Sequence, residues 1–144
     1  MVVADGVRVR LAQHADVASI IALDHVSGRG EDVRRAVDDA RCLVAEVAGA
    51  VVGFCVGGRF FGSDFLELVV VELPYRRRGV ATSLIDAWEA GAQTERLFTS
   101  TNQSNEPMQR LCERRGYVRS GLIENLDAGD PEIVYYKVND RHER

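Results

Sequence analysis

Leu68-Val69-Val70-Val71-Glu72-Leu73-Pro74-Tyr75-Arg76-Arg77-Arg78-Gly79-Val80-Ala81 runs an apolar strand into a basic turn, and the turn straight into a helix. The first amides of a helix have no intrahelical acceptor and carry a partial positive charge, so they bind anions. Gly79 removes the side chain where a phosphate must approach the backbone, and Ala81 keeps the next contact small. Arg76, Arg77 and Arg78 add positive charge at the rim. A solvated arginine run is the plain alternative, but it leaves the order strand, turn, helix unaccounted for. No Gly-Lys-Ser/Thr follows, which excludes a Walker-type loop, and the Gly-x-Gly-x-x-Gly dinucleotide turn is absent.

Periodicity on either side of this stretch gives short strands and helices in alternation. Val7 to Leu11 alternates apolar and basic residues and reads as a strand. Ala15 to Val26 places Val17, Ile20, Ile21 and Asp24 at helical spacing, with Ser27-Gly28 as its stop. Glu31 to Ala40 puts Val33, Ala36, Val37 and Ala40 on one face behind an acidic first turn. Cys42 to Val47 and Val51 to Phe60 flank Gly49 as a hairpin, and Phe65 to Val71 follows the turn Gly62-Ser63-Asp64. Val80 to Gly91 is an amphipathic helix with Val80, Ala81, Leu84, Ile85 and Trp88 as its buried stripe. Arg96 to Thr101 is a strand. A helix follows, capped by Ser104 or Asn105, with Pro107 in its first turn, Met108, Leu111 and Cys112 on its inner face and Gly116 as its stop. Tyr117 to Ile123 and Ile133 to Val138 form a final strand pair around the loop Glu124 to Glu132. The order β-α-α-β-β-β-α-β-α-β-β predicts a mixed α/β domain, a central sheet flanked by helices.

The 144 residues fit one domain, able to bury about two-thirds of the unfolded chain's surface. The 46% apolar and 28% charged composition is that of a globular protein. No apolar run reaches membrane-spanning length, and Met1 to Gly6 carries no signal-peptide pattern. A formal net charge of -4, without aromatics interleaved among the arginines, argues against nucleic acid as partner. Cys42, Cys55 and Cys112 are odd in number and widely spaced, which argues against a disulfide framework or a zinc site. Cys42 and Cys55 sit in apolar runs as small buried hydrophobes, and the expected setting is the reducing cytoplasm.

Arg76-Arg77-Arg78-Gly79-Val80-Ala81 resembles the Arg/Gln-x-x-Gly-x-Gly/Ala signature of the GNAT superfamily of acyl-CoA-dependent N-acetyltransferases. A second stretch is similar to the family's Asn-x-x-Ala-x-x-Leu-Tyr-x-x-x-Gly-Phe/Tyr pattern: Asn105, Met108 for the usual Ala, Leu111, Gly116 and Tyr117. Glu124 to Asp127 with Gly129 to Glu132 resembles a subset of small bacterial members. The resemblance spans nearly the whole chain and implies one N-acetyltransferase domain over residues 1–144, with a mixed, mostly antiparallel sheet. It implies acetyl-CoA as co-substrate, no metal, an amine acceptor on a small molecule or a protein, and a monomer or homodimer. Backbone groups of Val69, Val70 and Val71 would pair with the pantetheine arm where the strand splays from its neighbour. Amides of Arg77, Arg78, Gly79, Val80 and Ala81 would hold the pyrophosphate with Arg76 at the rim and Thr82 just behind, and Asn105 would reach the arm while also capping its helix.

Amide formation needs a neutral amine, and a lysine-like amine of pKa about 10.4 is neutral in roughly one molecule per thousand at pH 7. A base or a water chain that removes the proton therefore speeds the reaction, and Glu67, on the strand that presents the thioester, is the expected base, with a cross-strand surface carboxylate as the plain alternative. Glu106 has an electrostatic reason to sit in a first helical turn and is the weaker choice. Some family members carry a Glu on the following strand, where this chain has Ser100. The main departure is Cys112, where the family often has a tyrosine acting as acid to the leaving thiolate. Cys112 is open to three readings: an inert core thiol, a weak acid, or a nucleophile that takes up the acyl group. Tyr117, Tyr135 and Tyr136 are the tyrosines that could replace the missing one, depending on which way they face. Asp127, Asp130 and Glu132 would either attract a cationic amine or simply form a polar turn around Gly129 and Pro131. A catalytically weak acyl-CoA-binding module is the competing expectation.

Overall fold

The computed structural model describes residues 6–23 and 28–141. Seven strands form one sheet: β1 (Val7–Leu11), β2 (Cys42–Val47), β3 (Ala50–Phe60), β4 (Ser63–Val71), β5 (Arg96–Asn102), β6 (Val118–Ile123) and β7 (Glu132–Val138), in the order β1-β2-β3-β4-β5-β7-β6. The helices are α1 (Val17–Ile21), α2 (Gly30–Asp38), α3 (Val80–Gly91) and α4 (Glu106–Arg114). Pairings β1–β2, β2–β3, β5–β7 and β6–β7 are antiparallel, and β4–β5 is parallel. The fold is thus the mixed α/β arrangement expected, a mostly antiparallel sheet flanked by helices. No described helix is long and apolar enough to cross a membrane.

The chain divides into two compact units, residues up to Gly58 with Glu67–Gly91, and Arg59–Leu66 with the residues from Ala92 onward. In the first, Val17, Ile20 and Leu23 join Val33, Ala36 and Val37 of α2 over Val44, Phe54, Val56 and Val70 of the sheet. Ile20 and Phe54 are fully enclosed, each burial worth about 1.5–3 kcal/mol. Of the stripe expected on α3, Val80, Leu84 and Ile85 are buried, whereas Ala81 and Trp88 are half-buried. In the second unit, Leu97, Thr99, Ile133 and Tyr135 of the sheet are buried together with Leu111, Cys112 and Tyr117 of and after α4.

Three boundaries differ from expectation by two residues or more, each for a local reason, and several others differ by one. The helix expected over Ala15 to Val26 is a 3-10 turn, His14–Asp16, followed by α1; Asp24, Val26 and Ser27 lie outside the described residues. The turn is tightened by Asp16, whose carboxylate accepts the Gln13 amide at 2.7 Å. Ala40 does not lie on the buried face of α2. It takes φ 59 and closes the helix, with the Ala40 and Arg41 amides donating to the Val37 and Ala36 carbonyls. The turn before β4 is Phe61-Gly62, both with positive φ, rather than Gly62-Ser63-Asp64, so β4 starts at Ser63. Asp64 is drawn into the strand because its carboxylate accepts the Gln93 and Thr94 amides while its own amide donates to Thr94 Oγ1.

Arg10 ties β1 to this core through a partly buried network, donating to Asp16 at 2.8 and 2.9 Å and to Glu46 at 2.8 Å. The Arg10 hydrogen bonds hold the Asp16 carboxyl below its usual range against the opposing effect of burial. A depressed folded-state pKa contributes stability above the unfolded value of about 3.9, and that contribution is lost as pH falls through the folded value. Asp16→Asn is expected to cost about 2–3 kcal/mol at pH 7. Urea melts of the two proteins should converge as pH drops below about 4. A constant gap between them from pH 7 to pH 2 would contradict this assignment.

Candidate active site

The turn between β4 and α3 is built by a 3-10 segment, Leu73–Tyr75, followed by two left-handed residues, Arg77 at φ 63 and Gly79 at φ 81. Left-handed backbone in a non-glycine costs about 1–2 kcal/mol, and such strain persists where surrounding structure imposes it. The Ser83 amide of α3 donates to the Gly79 carbonyl at 3.0 Å, with Ser83 Oγ on the same oxygen at 2.8 Å. A Cβ at Gly79 would meet no atom beyond its immediate chain neighbours within 4 Å.

The three arginines divide their work. Arg76 Nε donates to the Val71 carbonyl at 3.0 Å and ties the turn to the strand end. Arg78 lies over the Tyr75 ring at 5.2 Å, and Arg77 supplies the left-handed corner. All three are exposed, while Val80 is buried and Ala81 and Thr82 are half-buried. On β4, Val70 and Val71 are buried and Val69 is half-buried. The parallel pairing with β5 covers only Asp64–Leu97 to Leu66–Thr99, and both strands run on past it, β4 to Val71 and β5 to Asn102.

Glu67 follows Leu66, the last residue of β4 paired with β5. Its carboxylate extends over Gly58 of β3, and an added Cβ there would overlap Oε2. Val56, two residues before Gly58 on the same strand, packs in the α1–α2 cluster, and so does Leu68. Glu67 and Leu68 therefore face the same way, and the alternation of β4 breaks between them. Arg41 Nη1 lies 3.9 Å from Glu67 Oε2. Burial pushes the Glu67 carboxyl above its usual range, Arg41 draws it down and Asp32 pushes it up. A half-exposed carboxylate with raised basicity is what a general base at neutral pH requires.

In the second unit, Asn105 caps α4, its Oδ1 accepting the Met108 amide at 3.3 Å, and its side chain is exposed. Cys112 is buried on the inner face of α4, and burial pushes its thiol up to about 12, with Glu113 adding to the shift. It is a neutral thiol at physiological pH, which disfavours the nucleophile reading. The tyrosines separate clearly. Tyr136 stacks with Phe98 at 6.0 Å, Tyr117 carries the Lys137 ammonium over its ring, and the buried Tyr135 hydroxyl lies within electrostatic range of Cys112. The acidic loop is largely structural. Asp127 accepts Asn102 Nδ2 at 2.8 Å, and Asp130 accepts the amide and hydroxyl of Ser104 at 3.0 and 2.6 Å. Ser100, at the position where a carboxylate was weighed, donates to Glu132 Oε2 at 2.7 Å. Sequence reasoning missed Arg41, Gly58 and the Ser100–Glu132 couple, since each depends on strand pairing that spacing does not reveal. Among the described residues no group of three or more His, Cys, Asp or Glu could hold a metal ion.

Comparison with known proteins agrees with this architecture. The family model described as Acetyltransferase (GNAT) domain matches residues 38–119. A GNAT-family acetyltransferase from Bacillus cereus ATCC 10987 is 36% identical, with 92% of this chain and 96% of that one covered at a TM-score of 0.86. At lower identity, where the likeness is one of fold, Ard1 from Thermoplasma volcanium matches at 20% identity, 93% and 98% coverage and TM-score 0.78. yncA from Salmonella typhimurium, solved with its cofactor acetyl-CoA, matches at 16%, 94% and 95%, and 0.78. No curated protein sequence matches. With both signature stretches in place on β4–α3 and α4, the chain belongs to the GNAT acetyltransferase family.

Proposed function

We propose that this protein transfers the acetyl group of acetyl-CoA to a primary amine by direct attack in a ternary complex. The observation that carries the reading is the β4–α3 turn, left-handed at Arg77 and Gly79 and with free space where a Cβ on Gly79 would stand. Amides from Arg77 to Ala81 would take the pyrophosphate, with Arg76 and Arg78 at the rim and Thr82 behind. Val69 to Val71, past the end of the β5 pairing, would offer backbone groups to the pantetheine arm. The acetyl-CoA-bound yncA structure supports this choice of co-substrate.

The amine nitrogen attacks the thioester carbonyl carbon, its proton passes to Glu67, and the C–S bond breaks as the thiolate leaves. A backbone amide at Val70 or Val71 would stabilise the negative charge building on the carbonyl oxygen. The acceptor is a small-molecule or protein amine, and the setting is the cytoplasm. Incubation with acetyl-CoA and a panel of amines, read by mass spectrometry, tests the reading. An acetylated amine is expected; absence of product across small-molecule, peptide and protein amines would overturn it.

Leaving-group chemistry explains how Cys112 can stand in place of a tyrosine. An alkyl thiolate has a conjugate acid of pKa about 8.5, so it departs without full protonation. Cys112→Ala is expected to lower turnover less than tenfold, and Cys112 should carry no acetyl group after incubation with acetyl-CoA. A stable adduct on Cys112, with turnover abolished in the alanine variant, would replace direct attack by a covalent two-step route.

A further inference from the structure

Glu67 sits in a setting that specific neighbours create. Gly57 and Gly58 are consecutive on β3 and face opposite ways. A Cβ on Gly57 would stand 2.6 Å from Trp88 Nε1 of α3, and one on Gly58 would overlap the Glu67 carboxylate. Arg41 is fixed on the same stretch of β3 by two bonds, the Gly57 amide donating to the Arg41 carbonyl at 2.9 Å and Arg41 Nη1 donating to the Gly57 carbonyl at 2.7 Å. The helix closure at Ala40 delivers Arg41 to this place, and Asp39 braces Nη2 at 3.5 Å. The guanidinium is therefore anchored to backbone independently of Glu67, with its charge 3.9 Å from the carboxylate.

We propose that Arg41 and Gly58 are positioning residues for Glu67: Gly58 leaves the space the carboxylate occupies, and Arg41 holds a fixed positive charge beside it. This rests on the reading of Glu67 as the base. The charged groups acting on Glu67 come from the residue before β2 and from α2: Arg41 favours the ionised form, Asp32 opposes it, and Asp39 acts through Arg41. A base must be ionised to accept a proton, so activity falls as pH drops through its pKa. Removing Arg41 moves that limb upward and removing Asp32 moves it downward. Two shifts of opposite sign are not produced by general damage to the fold.

The side-chain carboxyl of Glu67, followed by NMR titration in the full-length protein, gives a readout independent of turnover. Its midpoint is expected to rise by about one pH unit in Arg41→Met, the lower end for loss of one nearby opposite charge, and to fall in Asp32→Asn. Arg41→Lys, which keeps the charge, should restore most of the midpoint. In turnover, Gly58→Ala should lower kcat at least tenfold with the KM for acetyl-CoA unchanged, because only the carboxylate is displaced. In a Glu67→Gln background the Gly58→Ala and Arg41→Met changes should have no further effect. Unshifted midpoints, or equal losses when the carboxylate has already been removed by Glu67→Gln, would overturn the proposal. A normal rate for Glu67→Gln alone would instead remove the base assignment, and absence of any turnover would remove the transferase reading, while the titration still decides the positioning.

Discussion

Gly79→Asp is expected to abolish the thermal stabilisation that acetyl-CoA confers, while leaving the free protein folded. A ligand bound only by the folded state stabilises it by RT ln(1 + [L]/Kd), about 2.7 kcal/mol at a hundredfold excess over Kd. The substitution aims a carboxylate at the place where the phosphates are read to lie. Nothing of the chain stands within 4 Å of the new Cβ, so the added side chain meets no steric conflict in the free protein. Aspartate is among the residues that tolerate a φ near the 81 of Gly79. The left-handed backbone costs the aspartate about 1–2 kcal/mol, so the melting temperature without ligand should fall by a few degrees with the protein still folded, and the affinity for acetyl-CoA should fall at least about a hundredfold, the scale of several kcal/mol for an unpaired charge facing phosphate. Unchanged affinity in a folded variant would remove the turn from the site.

Glu67→Gln is the second large effect. At pH 7 about one lysine-like amine in a thousand is neutral, and a general base is worth about 10²–10⁴-fold. The glutamine keeps the shape over Gly58 and loses the proton acceptor. Turnover at pH 7 should fall by about 10²-fold or more, and raising the pH should restore part of it as more of the amine becomes neutral. Loss without recovery at high pH would point to a structural role, and near-normal turnover would return Glu67 to the surface-carboxylate reading.

What could be read in advance follows from how local each signal is. The β4–α3 stretch was legible because strand, turn and helix are contiguous and each carries its own periodicity, whereas the left-handed backbone of Gly79 comes from the structure alone. The cap at Asn105 and the stop at Gly116 were legible for the same reason. The left-handed Arg77 and Ala40 were not, since nothing in an arginine or an alanine announces positive φ; the surrounding turn and helix closure impose it. Arg41 escaped notice because its partner carbonyl, Gly57, is brought near only by pairing of β2 with β3, 16 residues on. The bonds of Asp127 to Asn102 and of Asp130 to Ser104 were not legible either, since these partners become visible only when the loop is placed beside the β5–α4 connection.

Steady-state release of CoA thiol from acetyl-CoA, followed on addition of an amine, separates an enzyme from a catalytically weak acyl-CoA-binding module. The account predicts continuous release that saturates with both acetyl-CoA and the amine, exceeds hydrolysis in the absence of amine, and collapses in Gly79→Asp through lost binding and in Glu67→Gln through lost turnover. Tight binding of acetyl-CoA with no amine-dependent release, for any amine tested between pH 6 and pH 9, would contradict it and leave the β4–α3 turn as the site of a sensor.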